Sequence, residues 1–209
     1  MFYSQFKQDE YIYNRFFKDK EIANPFFLEI GADDGIKFSN CAFFEKELGW
    51  QGIAIEPREV AFKELKNNRN CICLNTALAS EEKECEFMEL FGYGLGLSGI
   101  IENYDKRHLD RINRELQNPE NKGKRINKVK TQTLDKILDE HKIDKIDFLS
   151  IDTEGSELDI LSSIDFNKIS INVITIEDNY HSKELLQFFK SRGYKLDRIL
   201  HCDKIFYKT

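Results

Sequence analysis

Three prolines and one tryptophan in 209 residues leave no proline-rich tract, and no glycine-serine stretch marks a linker or a disordered tail. Long apolar runs are missing too. Nothing approaches the roughly 18 consecutive apolar residues of a membrane span. The opening MFYSQFKQDEYIYNRFF has neither the basic start nor the continuous apolar stretch of a secretion signal, so none is expected. Positive charge is short: 31 Lys and Arg against 37 Asp and Glu give a net charge of -6. That argues against nonspecific nucleic-acid binding as the main task, which needs a net or clustered positive field. Cysteine is sparse and odd in number: Cys41, Cys71, Cys73, Cys85 and Cys202. Several sit in apolar stretches, which reads as reduced thiols in a cytoplasmic protein. Cys71 and Cys73 share one face of an expected strand as packing groups, without the spacing of a zinc or redox motif.

What remains is 41% hydrophobic and 33% charged residues, enough to bury a real core in a single domain over 1–209. Strand and helix signals alternate along it. Strands are expected at Phe26 to Ile30, Gly52 to Glu56 and Cys71 to Asn75, with helices at Asn40 to Leu48 and Glu59 to Asn67 between them. After an irregular middle the pattern resumes: helix Leu134 to His141, strand Ile146 to Ile151, helix Glu157 to Ile164, strand Asn172 to Glu177 and helix Lys183 to Arg192, stopped by Gly193. The last two strands, Tyr194 to Leu200 and Lys204 to Tyr207, are separated by only three residues and must be antiparallel neighbours. The expected fold is α/β: a doubly wound, Rossmann-like, mostly parallel sheet ending in an antiparallel hairpin.

In such sheets the ligand sits beyond the carboxyl ends of the strands, and the first turn is where backbone approaches it closely. Here that turn reads FLEIGADDGIKFSN. Gly31 and Gly35 suit close approach, and Ser39 and Asn40 can start a helix. A dinucleotide fingerprint would read G-x-G-x-x-G around a pyrophosphate. Asp33 and Asp34 would instead repel phosphate, which points to a cofactor without phosphate there and with positive charge. S-adenosylmethionine has both properties. Glu56 ends the second strand, where an acid can accept both ribose hydroxyls. Of the two aspartates, Asp33 is the one expected to face the cofactor and Asp34 to shape the loop.

FLEIGADDGIKFSN, GIAIEP, IDFLSIDTEGSELDIL and VITIEDNY together resemble the FkbM family of S-adenosylmethionine-dependent methyltransferases, over nearly the whole chain. YSQFKQDEYI is similar to that family's opening S-Q-x-x-Q/E-D segment, and LSGIIENYD with VKTQTLDKIL to its middle section. Cys41 stands where such sequences often have threonine, and Lys7 where glycine is common. The resemblance implies the seven-stranded methyltransferase fold, with Glu29, Gly31, Asp33 and Gly35 lining the methionine end of the cofactor and Glu56 on its ribose. Ala32, Ser39, Asn40, Pro57, Ala77 and Asp152 complete the expected cofactor-binding set.

SIDTEGSELDIL puts Asp152 at the end of the strand expected beside the first, across the switch point, and so at the cofactor's reactive end. Gly155 allows the turn, Ser156 can cap the next helix, and Glu157 is a first-turn acid favourable to the helix dipole. Methyl transfer to a hydroxyl needs alignment and removal of a proton. Asp152, Glu154 and His181 are the expected catalytic groups, His181 as the side chain best placed to titrate near neutral pH. The other solution is a divalent metal such as Mg2+ on Asp152, Asp178 and Asn179. That spacing resembles the metal site of catechol-type O-methyltransferases.

Residues 90–130 read as an irregular lid or substrate insertion, with flexible glycines in FGYGLGLSGI. Lys122, Lys124, Arg125, Lys128 and Lys130, with Arg107, His108 and Arg111 on a neighbouring helix, are either a solvated run or an anion contact for a phosphorylated or nucleotide-linked acceptor. Residues 1–20 read as a helical segment whose aromatics, Phe16 and Phe17 among them, serve packing. The expected function is O-methylation of a small metabolite, with the sugar, nucleotide-sugar or glycan-precursor class taken from the resemblance. A catalytically silent binding protein on the same fold and a nicotinamide dehydrogenase are the alternatives.

Overall fold

The computed structural model describes all 209 residues. In chain order the strands are β1 (Phe26–Ile30), β2 (Gln51–Ile55), β3 (Ile72–Leu74), β4 (Ala77–Leu78), β5 (Glu84–Gly92), β6 (Gly99–Ile100), β7 (Asn121–Gln132), β8 (Lys145–Ile151), β9 (Ser170–Glu177), β10 (Tyr194–Leu200) and β11 (Asp203–Lys208). The helices are α1 (Gln8–Ile12), α2 (Ala42–Lys46), α3 (Glu59–Asn68), α4 (Lys106–Glu115), α5 (Leu134–His141), α6 (Glu157–Ser162) and α7 (Lys183–Ser191). They form two compact units. The first comprises Met1–Asn75, Lys142–Asp152 and Asp165–Thr209; the second comprises Thr76–His141 and Thr153–Ile164. No helix is long and apolar enough to cross a membrane.

The first unit holds a seven-stranded sheet in the order β3-β2-β1-β8-β9-β11-β10. The pairs from β3 through β9 are parallel, and β11 runs antiparallel to both β9 and β10. This is the mostly parallel α/β sheet with a terminal antiparallel hairpin that the alternation of signals implies. The central strands are mostly apolar because both faces are enclosed: Phe27, Leu28, Ile53, Phe148, Leu149 and Ile174 are fully buried. Each such side chain contributes about 1.5–3 kcal/mol on burial.

The aromatic opening of the chain packs into this core. Residues 1–20, read as helical, hold the short α1 and then a wider turn at Tyr13–Phe17, where Lys18 N bonds back to Tyr13 O at 2.8 Å. That extra residue per turn brings both Phe16 and Phe17 into a cluster with Phe27, Phe44, Trp50 and Phe148. Lys7, where similar sequences favour glycine, has φ 65, the left-handed conformation that a side chain adopts at some cost. Asp9 stabilises the segment by accepting from Tyr3 N at 2.6 Å and Ser4 N at 3.2 Å.

The second unit holds a four-stranded sheet in the order β4-β7-β5-β6, together with α4, α5 and α6. Leu90 to Lys130, expected to be irregular, thus contains the end of a long strand, a helix and most of another strand. β5 and β7 pair antiparallel over most of their length. The reason it escapes the pattern is chemical: NKGKRINKVKTQ is polar on both faces and gives no hydrophobic alternation. Its pairing is supplied from β5, by Lys128 to Glu84 at 2.8 Å and Arg125 to Glu89 at 2.6 Å. Behind the sheet, Met88, Leu90 and Leu97 pack with Ile112 of α4.

Candidate functional site

The turn after β1 is fixed to both neighbours of that strand. Gly31 N and Ala32 N both donate to Ile55 O at 3.0 Å, and Asp152 N donates to Ile30 O at 3.0 Å. Gly31 has φ +85, and a Cβ there would lie 1.8 Å from the backbone oxygen of Asp152. No side chain fits that approach. At Gly35, φ +79, a Cβ would meet side-chain atoms of Leu65 at 2.6 Å and Arg69 at 2.8 Å. Asp34 shapes the loop: its Oδ1 accepts from Ile36 N at 2.8 Å and Lys37 N at 2.7 Å. These bonds match its sequence-based role.

Glu29 is a charged residue on a central strand, only 3% exposed. Its carboxylate accepts from Ser39 Oγ at 2.7 Å, Asn40 N at 2.9 Å, Cys41 N at 3.2 Å and Arg69 Nη1 at 2.9 Å. It therefore satisfies amides at the start of α2 and is neutralised by an arginine that also bonds Glu45. Burial alone would lower the Arg69 pKa, but Glu29 and Glu45 hold it far above the ordinary arginine value. Asn40 Nδ2 reaches Ser150 Oγ at 3.0 Å, while Asn40 Oδ1 is buried with no hydrogen-bond partner. The sequence placed Glu29, Ser39 and Asn40 toward a cofactor; in this structure they bond mainly to one another and to Arg69.

At the end of β2, Glu56 is likewise enclosed. Its Oε2 accepts from Asp33 N at 3.0 Å, and its Oε1 from Arg58 N at 2.8 Å and Arg58 Nε at 2.9 Å. Arg58 Nη2 donates to Asp33 Oδ1 at 2.8 Å, and Arg58 Nη1 is buried without a partner. Burial pushes the Glu56 carboxyl up, against the opposing pull of Arg58. Asn75 Nδ2 holds the strand end through Glu56 O at 2.8 Å and Pro57 O at 3.1 Å. A carboxylate has about four acceptor positions, and three on Glu56 are filled. One remains for a hydroxyl, beside an unpaired guanidinium nitrogen. That is room for one hydroxyl, not for both of the ribose hydroxyls that the sequence assigned to Glu56. Ala77 lies on β4 in the second unit.

Beyond β8 and β9, the carboxylate oxygens of Asp152 and Glu177 come within 4.8 Å of each other. Two acids at the ends of adjacent strands suit a cationic group. Asp178 is differently used. One of its oxygens pairs with the buried Lys204 ammonium, and the other accepts from Ser182 N at 2.9 Å. An ammonium already neutralises Asp178, so the set Asp152, Asp178 and Asn179 does not fit a divalent ion. His181 is exposed, with φ 55, and its amide donates to Asp178 O at 3.3 Å.

In the second unit, the turn from Thr153 to Glu157 is held by Glu157. Its Oε1 accepts from Thr153 N at 3.0 Å, Thr153 Oγ1 at 2.9 Å and Gly155 N at 3.0 Å. Ser156 occupies the N-cap position of α6 but makes no side-chain cap; its Oγ accepts from Asn103 Nδ2 at 2.9 Å. Glu154, φ 58, extends to within 3.5 Å of His108 Nδ1. His108, grouped with surface cations by its sequence context, is buried. Arg58, Arg69 and the burial of His108 are the features that sequence reasoning missed. Only the first left a signal, by directly following the Glu56-Pro57 strand end.

The methyltransferase FkbM domain profile matches residues 29–196. No curated protein matches the chain in sequence. Among solved structures, the crystal structure of methyltransferase FkbM from Methylobacillus flagellatus KT aligns with a TM-score of 0.52 at 14% identity. The alignment covers 95% of this chain and 50% of that one, so this chain spans half the length of its structural neighbour. At that identity the likeness is one of fold. With the domain matched across both the Gly31 turn and the DTEGSE segment, the chain belongs to the FkbM methyltransferase family.

Proposed function

We propose that the chain is an S-adenosylmethionine-dependent O-methyltransferase acting on a hydroxyl of a small metabolite, of the sugar, nucleotide-sugar or glycan-precursor class. Methyltransferases of this kind generally draw the methyl group from S-adenosylmethionine, and the acceptor class is taken from family kinship. The observation that carries the reading is the set of acids around the Gly31 turn: Glu56 with Asp33 at one strand end, Asp152 with Glu177 at the others.

Glu56 is proposed to take the ribose, with Arg58 and the Asp33 amide holding its carboxylate in place. Asp152 and Glu177 face the cationic end. Gly31, Ala32 and Gly35 give the backbone its close approach, and Glu29 acts indirectly, by fixing Ser39 and Asn40. The bound cofactor would supply an electrophilic methyl on a positively charged sulfur. What this chain must add is alignment of the acceptor oxygen and a home for its proton, because a neutral alcohol is a poor nucleophile. Glu154 and His181 are the candidate bases, and no step requires a metal. Lys122, Lys124 and Lys130 on β7 would favour an acceptor that carries phosphate.

The reading is tested by incubating the protein with methyl-labelled S-adenosylmethionine and a panel of sugars, sugar phosphates and nucleotide sugars. Label in an ether product is the expected outcome. Label recovered only on nitrogen would contradict O-methylation.

A further inference from the structure

We propose that Cys71 and Cys73 form a reversible oxidation site, at which a hydroperoxide converts Cys73 to a sulfenic acid and Cys71 closes a disulfide onto it. The proposal stands apart from the methyltransferase reading, and all its residues belong to the first unit.

Cys73 is part of β3, the edge strand of the seven-stranded sheet, and Cys71 comes just before it. Residues two apart on a strand share a face. Both side chains pack, with Phe62, against Ala32, Ala54 and Leu65, while Ile72 between them is 41% exposed. Neither thiol is in a disulfide and both are half-buried, so packing does not seal them from solvent. Cys71 is the more enclosed, since it also touches the aromatic cluster around Phe27 and Phe44.

The two sulfurs are in contact. The Cys71 thiol donates to Cys73 Sγ, which in turn lies 3.5 Å from Cys71 O. A strand rise of about 3.3 Å per residue puts the two α-carbons about 6.6 Å apart, near the upper limit that a disulfide spans. A bond closed at that limit is readily reduced, which suits a reversible site. The spacing differs from the common redox motif of two intervening residues, yet the strand brings the sulfurs together without a turn.

Their roles are unequal. The bond from Cys71, then the charges of Arg69 and Lys66, hold the Cys73 thiol below its ordinary value against burial and the charge of Glu45. The same bond, together with burial, pushes Cys71 up. Thiolate is the form that attacks a peroxide, so Cys73 reacts first and Cys71 resolves. Elsewhere, burial pushes up the enclosed thiols of Cys41 and Cys85.

In the first step a bond forms from Cys73 sulfur to one peroxide oxygen and the oxygen–oxygen bond breaks. The proton given up by the thiol goes to the leaving oxygen, which departs as an alcohol or water. Sulfur has lost two electrons to the peroxide. Cys71 sulfur then attacks Cys73 sulfur, the sulfur–oxygen bond breaks, and the leaving hydroxide takes the Cys71 proton to become water.

The test treats the intact, fully reduced chain with hydrogen peroxide, alkylates it after unfolding, and maps it with trypsin. Cleavage after Arg69 and Lys83 releases both cysteines in one peptide. That peptide should appear unalkylated and two hydrogens lighter, at doses that leave Cys41 and Cys85 as thiols, and dithiothreitol should restore both thiols. Oxidation of the pair should outpace that of Cys85 by about tenfold or more. In Cys71→Ser, Cys73 should stop at a sulfenic acid that dimedone traps; in Cys73→Ser, Cys71 should stay reduced at the same dose. A pair that oxidises no faster than Cys85, disulfides that join separate chains, or oxidation that dithiothreitol does not reverse would overturn the proposal. Equal dimedone labelling of the two variants would overturn the division of roles. The wild-type map needs no substitution, so it decides the matter even where a variant fails to fold.

Discussion

Arg69 Nη1 donates to Glu29 Oε2 at 2.9 Å, with the two side chains only 0% and 4% exposed. A carboxylate in the middle of a parallel sheet is tolerated because this arginine neutralises it, and the same arginine ties Gly35 O at 3.0 Å to the start of α2. Arg69→Met would leave Glu29 buried and uncompensated. A loss of about 3–5 kcal/mol in urea unfolding is expected, and Glu29→Gln in the same background should recover part of it. Equal losses in the single and double variants would contradict the pairing.

Gly31→Ala tests the backbone approach. Its Cβ would sit 1.8 Å from the Asp152 carbonyl oxygen, and the φ +85 conformation penalises alanine by itself. The variant should lose at least about 2 kcal/mol of stability and bind cofactor weakly. Wild-type stability would mean that the turn can move away from β8 at little cost.

How much of this was legible beforehand follows from how local each signal is. β1, α5 and β10 fall on their expected bounds, Phe26–Ile30, Leu134–His141 and Tyr194–Leu200, because a short apolar run or a helical period states itself within a few residues. β7 does not, since both its faces are polar and its partner lies some forty residues away. The acids of the site were visible as acids at strand ends. Their partners were not: arginine reads as a surface residue until the fold encloses it, and nothing near Arg69 in sequence announces Glu29. His108 is the sharpest example. Between Arg107 and Leu109 it looks like part of a basic helix face, yet α4 turns it inward toward Leu97 O and Glu154.

Asp203 makes stability depend on pH. Burial raises its carboxyl above the ordinary 3.8, against a bond from Gln8 and the charge of His201. The folded state therefore holds this proton more tightly than the unfolded chain. The resulting stability is complete below about 3.8 and is lost as pH rises through the folded value. Each unit of elevation costs about 1.4 kcal/mol at neutral pH. Asp203→Asn should flatten that fall in urea unfolding measured from acid to neutral pH. A slope identical to wild type would exclude Asp203 as its source.

Lys204 and Asp178 form a buried ion pair in place of a metal site. Lys204→Met should destabilise by about 3–5 kcal/mol, and adding Mg2+ to the wild type should leave its Tm unchanged. Methyl transfer should survive exhaustive chelation. Activity abolished by chelation and restored by Mg2+ would contradict this reading.

The central claim is that the acids at the strand ends receive an S-adenosyl group, and calorimetric titration with S-adenosylhomocysteine and with NAD tests it most directly. The account predicts one binding site for S-adenosylhomocysteine, no tighter binding of NAD, and a loss of about 1.5–3 kcal/mol of affinity in Glu56→Ala, the scale of hydrogen bonds to a charged group. NAD binding more tightly than S-adenosylhomocysteine, or an affinity unchanged by Glu56→Ala, would contradict it.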